Sequence, residues 1–127
     1  MMKLIVVILF AITVAITIAS DDPQPTKCYH CSLIEGEICN KPDFTWLGVQ
    51  SCDDIPTNKN TTDKVVCYTV TATWLGQPIT ERGCYYQEME GMDLCTYFNK
   101  TEANVPFTFD YKCKLCYNDL CNGLPSR

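Results

Sequence analysis

The strongest regularity in the chain runs over residues 65–74. Val66, Tyr68, Val70, Ala72 and Trp74 share one parity, and apart from Val65 and Cys67 the other parity is threonine. Period-two alternation of β-branched and aromatic residues predicts a strand with one packed face. Leu75-Gly76-Gln77-Pro78 supplies a reversal, and residues 79–86 return as the partner strand of a long hairpin, with Cys67 and Cys84 near its base. A second excursion spans Cys95 to Cys113, with Tyr97, Val105, Phe107, Phe109 and Tyr111 alternating over its later half. Between the two, residues 87–94 read as a loop or a single helical turn. Earlier, Asn40-Lys41-Pro42-Asp43-Phe44 is turn chemistry ahead of the more apolar Trp46-Leu47-Gly48-Val49, and residues 53–63, with Pro56, Asn58 and Asn60, form a polar loop. No helix of useful length is predicted beyond the first twenty residues.

Those first twenty have a different pattern. A cationic Met1-Met2-Lys3 precedes residues 4–18, apolar apart from Thr13 and Thr17, and Ala19-Ser20 leads to an abrupt polar change at Asp21-Asp22-Pro23. This is the three-part layout of a cleavable signal peptide, here 1–20, and it is shorter than the roughly twenty residues of a membrane span. Residues 21–27 then serve as a flexible lead-in. About 107 residues are expected to remain, one domain's worth, and all ten cysteines lie among them. An even count at that density marks an exported disulfide scaffold. Without Lys3 the balance is nine basic against fifteen acidic residues. Neither nucleic acid nor anionic lipid is therefore expected as a partner. After Asn122 only Gly123-Leu124-Pro125-Ser126-Arg127 follow. A lipid-anchor signal needs an apolar tail there, so 123–127 are expected to be a short tail and the protein an extracellular monomer without a membrane anchor.

Spacing alone leaves the disulfides open, because ten cysteines allow about 945 pairings. The densest run is Cys113-Lys114-Leu115-Cys116-Tyr117-Asn118-Asp119-Leu120-Cys121-Asn122, three cysteines within nine residues and a closing asparagine. Such a run can close a four-residue loop and anchor distant cysteines. Together with Cys28-Tyr29-His30-Cys31 at the start and long loops between, it resembles the lymphocyte antigen six and urokinase receptor family of three-finger domains. The likeness covers Cys28 to Asn122. The lead-in to Cys67, Glu81-Arg82-Gly83-Cys84 and Asp119-Leu120-Cys121-Asn122 look most like the insect Sleepless/Quiver branch. The resemblance implies an all-β, disulfide-rich three-finger domain over 28–122. It implies the pairs Cys28–Cys67, Cys31–Cys39, Cys52–Cys84, Cys95–Cys113 and Cys116–Cys121, and a buried Asn122 bonding the backbone of the palm. The family usually has adjacent cysteines where this chain has Cys113-Lys114-Leu115-Cys116, so the base of the third finger is expected to be displaced.

Candidate chemistry is sparse. The two C-x-x-C motifs lie more than eighty residues apart, too far for a zinc ribbon. His30 is the only histidine and is expected on the surface of the first finger. No catalytic residue, metal or cofactor is expected, and the protein is read as not an enzyme. Asn60-Thr61-Thr62 and Asn99-Lys100-Thr101 are N-glycosylation acceptors, both placed in loops. Thr-Trp-Leu-Gly occurs at 45–48 and again at 73–76, the second copy at the tip of the long hairpin. Aromatic anchors dominate binding energy at interfaces, so Trp74, Leu75, Gln77 and Arg82 are the expected partner-binding residues; the bland alternative folds Trp74 back across the hairpin. Residues 74–78 carry no cation, which disfavours plugging of an acetylcholine-site aromatic cage. The resemblance implies a secreted modulator of a membrane receptor or ion channel, of the nicotinic receptor or potassium channel class. The alternative is a structural or trafficking factor for cell-junction or cuticle assembly.

Overall fold

The computed structural model describes residues 23–35, 37–40, 47–56 and 64–123. The expected signal peptide 1–20, Trp46, Asn60 and most of the expected tail 123–127 lie outside these residues.

Three antiparallel sheets carry the architecture. In the first finger, β1 (Lys27–His30) pairs with β2 (Gly48–Ser51), and a 3-10 turn and the short α1 (Glu37–Asn40) lie between them. The second finger is the long hairpin of β3 (Val65–Trp74) and β4 (Gln77–Tyr86), in unbroken register from Val65↔Tyr86 to Trp74↔Gln77. The third begins with a two-residue ladder, β5 (Glu88–Met89) on β6 (Met92–Asp93), and continues through α2 (Leu94–Thr101). It returns as β7 (Thr108–Cys116), which adds to β3, so the main sheet has the order β4-β3-β7. The first finger docks on the outer edge of β4, where Cys31 and Arg82 exchange both backbone hydrogen bonds.

The reversal at the hairpin tip is tighter than a four-residue turn. Only Leu75 and Gly76 are unpaired, both at positive φ (50° and 78°), the two-residue turn whose twist suits a hairpin. Pro78 sits inside β4 opposite Thr73, where an edge strand tolerates a residue without an N–H.

Two expectations need correction. The third finger contains a helix of eight residues, α2, where a loop was expected. Asp93 caps it, accepting the Thr96 N–H at 3.1 Å, and Leu94 and Phe98, four residues apart, bury on the sheet. The alternation from 105 to 111 is also not one strand face. Phe107 has φ 68°, Asp110 has φ 53°, and the β3–β7 register shifts by one residue between Thr71 and Thr73. Phe107, ahead of β7, and Phe109, beside the bulge, are both exposed.

Five disulfides hold the fingers: Cys28–Cys67, Cys31–Cys39, Cys52–Cys84, Cys95–Cys113 and Cys116–Cys121. Three of them stack in the palm. The sulfur of Cys28 lies within 4.8 Å of those of Cys52 and Cys84, and that of Cys67 is as close to Cys116 and Cys121. Bonded in pairs, these sulfurs are not the thiolates a metal site requires. Val66, Tyr68, Val70, Tyr86, Leu94 and Phe98 pack around this stack, while Cys31, Cys39 and Leu47 make a separate small cluster under the first finger. The molecule is an all-β, disulfide-rich three-finger domain.

Candidate partner-binding surface

The palm is built for rigidity rather than contact. Asn122, 3% exposed, accepts the Tyr29 N–H at 2.9 Å and donates to the carbonyls of Tyr29 at 2.9 Å and Tyr68 at 3.0 Å. One side chain thus stands in for a strand residue between the first and second fingers. Nearby, Asp119 accepts the Thr26 N–H at 2.6 Å, and the Leu120 N–H reaches Lys27 O at 3.0 Å, closing the first strand onto the last loop. These backbone donors hold the Asp119 carboxyl below its ordinary range.

Arg82 belongs to this palm and not to a contact surface. Its register partner is Thr69, which places it on the face of the sheet opposite Trp74. It is 5% exposed, and its guanidinium donates to the Asn122 carbonyl and to Thr69 Oγ1. Burial lowers its affinity for the proton. The expectation that it binds a partner is therefore corrected, because a buried guanidinium committed to the Asn122 carbonyl and the Thr69 hydroxyl is out of reach.

The other three residues expected at the tip are accessible. Trp74 and Leu75 are 44% and 58% exposed, and Gln77 is exposed beside them. Trp74, a little over half covered, lines one groove with Ala72 and Ile79 and keeps the rest of its surface open. The Leu75 N–H donates to Phe107 O at 3.2 Å, which ties the tip of the second finger to the turn that enters β7. That bond brings in two residues of the alternating run, Phe107 and Phe109, more exposed than Trp74 itself. Register places Phe109 opposite Thr73 and Thr108 opposite Trp74, so the aromatic side chains straddle the two faces of the sheet end. The Asp110 position, which reverses the parity, was the available signal, since aspartate tolerates positive φ better than most residues.

His30 lies exposed at the end of β1, opposite Gly48. Asn99 is exposed on α2, not in a loop, with the sequon's Thr101 one half-turn further on, its hydroxyl donating to Tyr97 O at 3.0 Å. Tyr68, beneath α2, donates to Glu81 Oε1 at 2.7 Å, and burial followed by that carboxylate pushes its hydroxyl far above the ordinary phenol range.

Neither the curated proteins nor the solved structures gave a match to this chain. A family model described as the Quiver family u-PAR/Ly-6-like domain matches residues 26–122, from the strand that opens the first finger to the asparagine that closes the palm. The chain belongs to the Quiver family of u-PAR/Ly-6-like domains.

Proposed function

We propose that this is a secreted, non-enzymatic three-finger ligand that binds and modulates a membrane receptor or ion channel, of the nicotinic receptor or potassium channel class. In this reading residues 1–20 are removed on export, 21–27 lead into the domain over 28–122, and the product acts as a monomer. Asn60 and Asn99 are proposed glycan sites; from Asn99 a glycan would project from the outer side of α2, leaving the hairpin tip free.

One observation carries the proposal: an exposed apolar corner of Trp74, Leu75, Phe107 and Phe109 on a domain whose stability resides elsewhere, in its disulfides and Asn122. Exposed aromatic clusters on a small domain mark interaction sites. The test is binding of purified, secreted protein to cells displaying candidate channels. Trp74→Ala should weaken binding roughly ten-fold or more while secretion is unchanged. Leu75→Asn gives a second variant suited to folding, because asparagine accepts the positive φ that leucine resists. Retention of the unsubstituted chain at cell contacts, with none in the medium, would sink the diffusible ligand and favour the junction-assembly reading.

A further inference from the structure

Behind Trp74 the main sheet is not fully covered. A groove of about 450 Å³ runs along its helix-bearing face, with Val70 and Ala72 as floor and Ile79 as one wall. The other wall is the segment leaving α2, through Glu102 and Val105, and Tyr111 closes the inner end. Among the described residues that line it, Glu102 alone is charged. No Lys, Arg or His among them pairs with that carboxyl. Burial and the charge of Glu81 instead hold its proton more tightly than in an ordinary glutamate. The buried Tyr111 hydroxyl at the same end has no hydrogen-bond partner. An apolar trough that carries an unpaired, half-buried carboxyl is complementary to a cation on an apolar stem.

We infer that this groove receives a lysine or arginine side chain presented by the protein partner, its stem along Ala72 and Ile79 and its cation at Glu102. The inference rests on the proposed receptor or channel binding and names the chemistry the partner must offer. A protein fits better than a free amine because the rim itself is apolar and open. Leu33, Trp74 and Val105 are 41%, 44% and 46% exposed around the mouth, and a small solute would leave them wet. An anionic membrane is disfavoured by the same carboxyl and by the acidic balance of the chain.

The test uses the secreted protein, isotopically labelled, and two probes of one shape: n-butylguanidinium and neutral n-butylurea. The guanidinium should shift the amide signals of Ala72, Ile79, Glu102 and Tyr111 saturably, and the urea should bind roughly ten-fold more weakly. Glu102→Gln should abolish that contrast, and preserved signal dispersion will show that the variant is folded. A capped tripeptide of leucine, arginine and leucine should bind more tightly than butylguanidinium, because it also covers the rim. Equal binding of the two small probes, no shift at the groove, or a tripeptide weaker than the free guanidinium would each overturn the inference. The probe experiment needs no membrane partner, so the two readings fail separately. If cells bind the protein but Glu102→Gln leaves that binding unchanged, the groove inference falls and the proposed function stands. If the probe contrast holds but no cell binding occurs, the proposed function falls and only the groove's cation preference survives.

Discussion

Asn122 has no substitute among the twenty side chains. It supplies one acceptor and two donors at fixed separation to the backbones of Tyr29 and Tyr68, in a site closed to water. Asn122→Ala leaves three backbone groups without partners and should cost about 3 kcal/mol. Asn122→Asp should cost more, since a carboxylate would face two carbonyl oxygens with nothing to donate. Urea midpoints of the secreted variants would rank them, and a midpoint for Asn122→Asp at or above that of Asn122→Ala would refute the account. Single residues were unevenly legible. Trp74 and Leu75 could be placed at an exposed tip because the alternation and Gly76 fix the turn locally. Arg82 could not be placed, because a charged residue next to Glu81 reads as surface. Only the register Thr69↔Arg82 and the arrival of Asn122, forty positions on, show that it is buried.

Among the elements, the long hairpin was legible because its period-two pattern is a property of the strand alone. α2 was not, since eight residues carry just two buried positions, Leu94 and Phe98, and the glutamates and glycine before it look like loop. The β7 bulge misled in the opposite way: residues 105–111 alternate well, but the positive φ of Asp110 inverts their facing partway. The exit of α2 also carries a stability cost that can be measured. Glu102 has its pKa raised in the folded chain, so the fold binds its proton more tightly than the unfolded chain does. Stability therefore falls as pH rises from the ordinary glutamate range through the raised value, and the penalty is complete above it. Glu102→Gln removes it. With the group half-exposed and screened, melting at neutral pH should rise by roughly 2 °C. That gain should disappear below about pH 3, where both states of the wild type are protonated. A gain that persisted in acid would mean that glutamine packs better and that charge is not the cause.

In the molecule as a whole, the division of labour between cross-links and core sets which parts can be loosened without losing the fold. Cys28–Cys67 closes a separation of 39 residues and lies in the main core, its sulfurs flanked by those of two further bridges. Cys31–Cys39 closes a separation of 8 and belongs to the small cluster with Leu47. Chain entropy alone assigns roughly 4 kcal/mol to the first and roughly 2.5 kcal/mol to the second. Opening the first also breaks the packing of Val66 and Tyr68 around it, so the real gap should be wider. A domain of this size has about 5–15 kcal/mol in total. The double variant Cys31→Ser with Cys39→Ser should therefore be secreted and folded, melting lower, with hydrogen exchange accelerated in the first finger only. The double variant Cys28→Ser with Cys67→Ser should fail to leave the cell. Because Trp74, Leu75, Phe107 and Phe109 are held by the β4-β3-β7 hairpin end and not by this bridge, the first variant should keep their contacts and lose only what Leu33 contributes at the groove rim, a weakening of less than about ten-fold. Loss of binding in a secreted, folded Cys31→Ser/Cys39→Ser protein would move the contact surface to the first finger. It would also show that the rim residue Leu33, between those two cysteines, matters more than the hairpin tip.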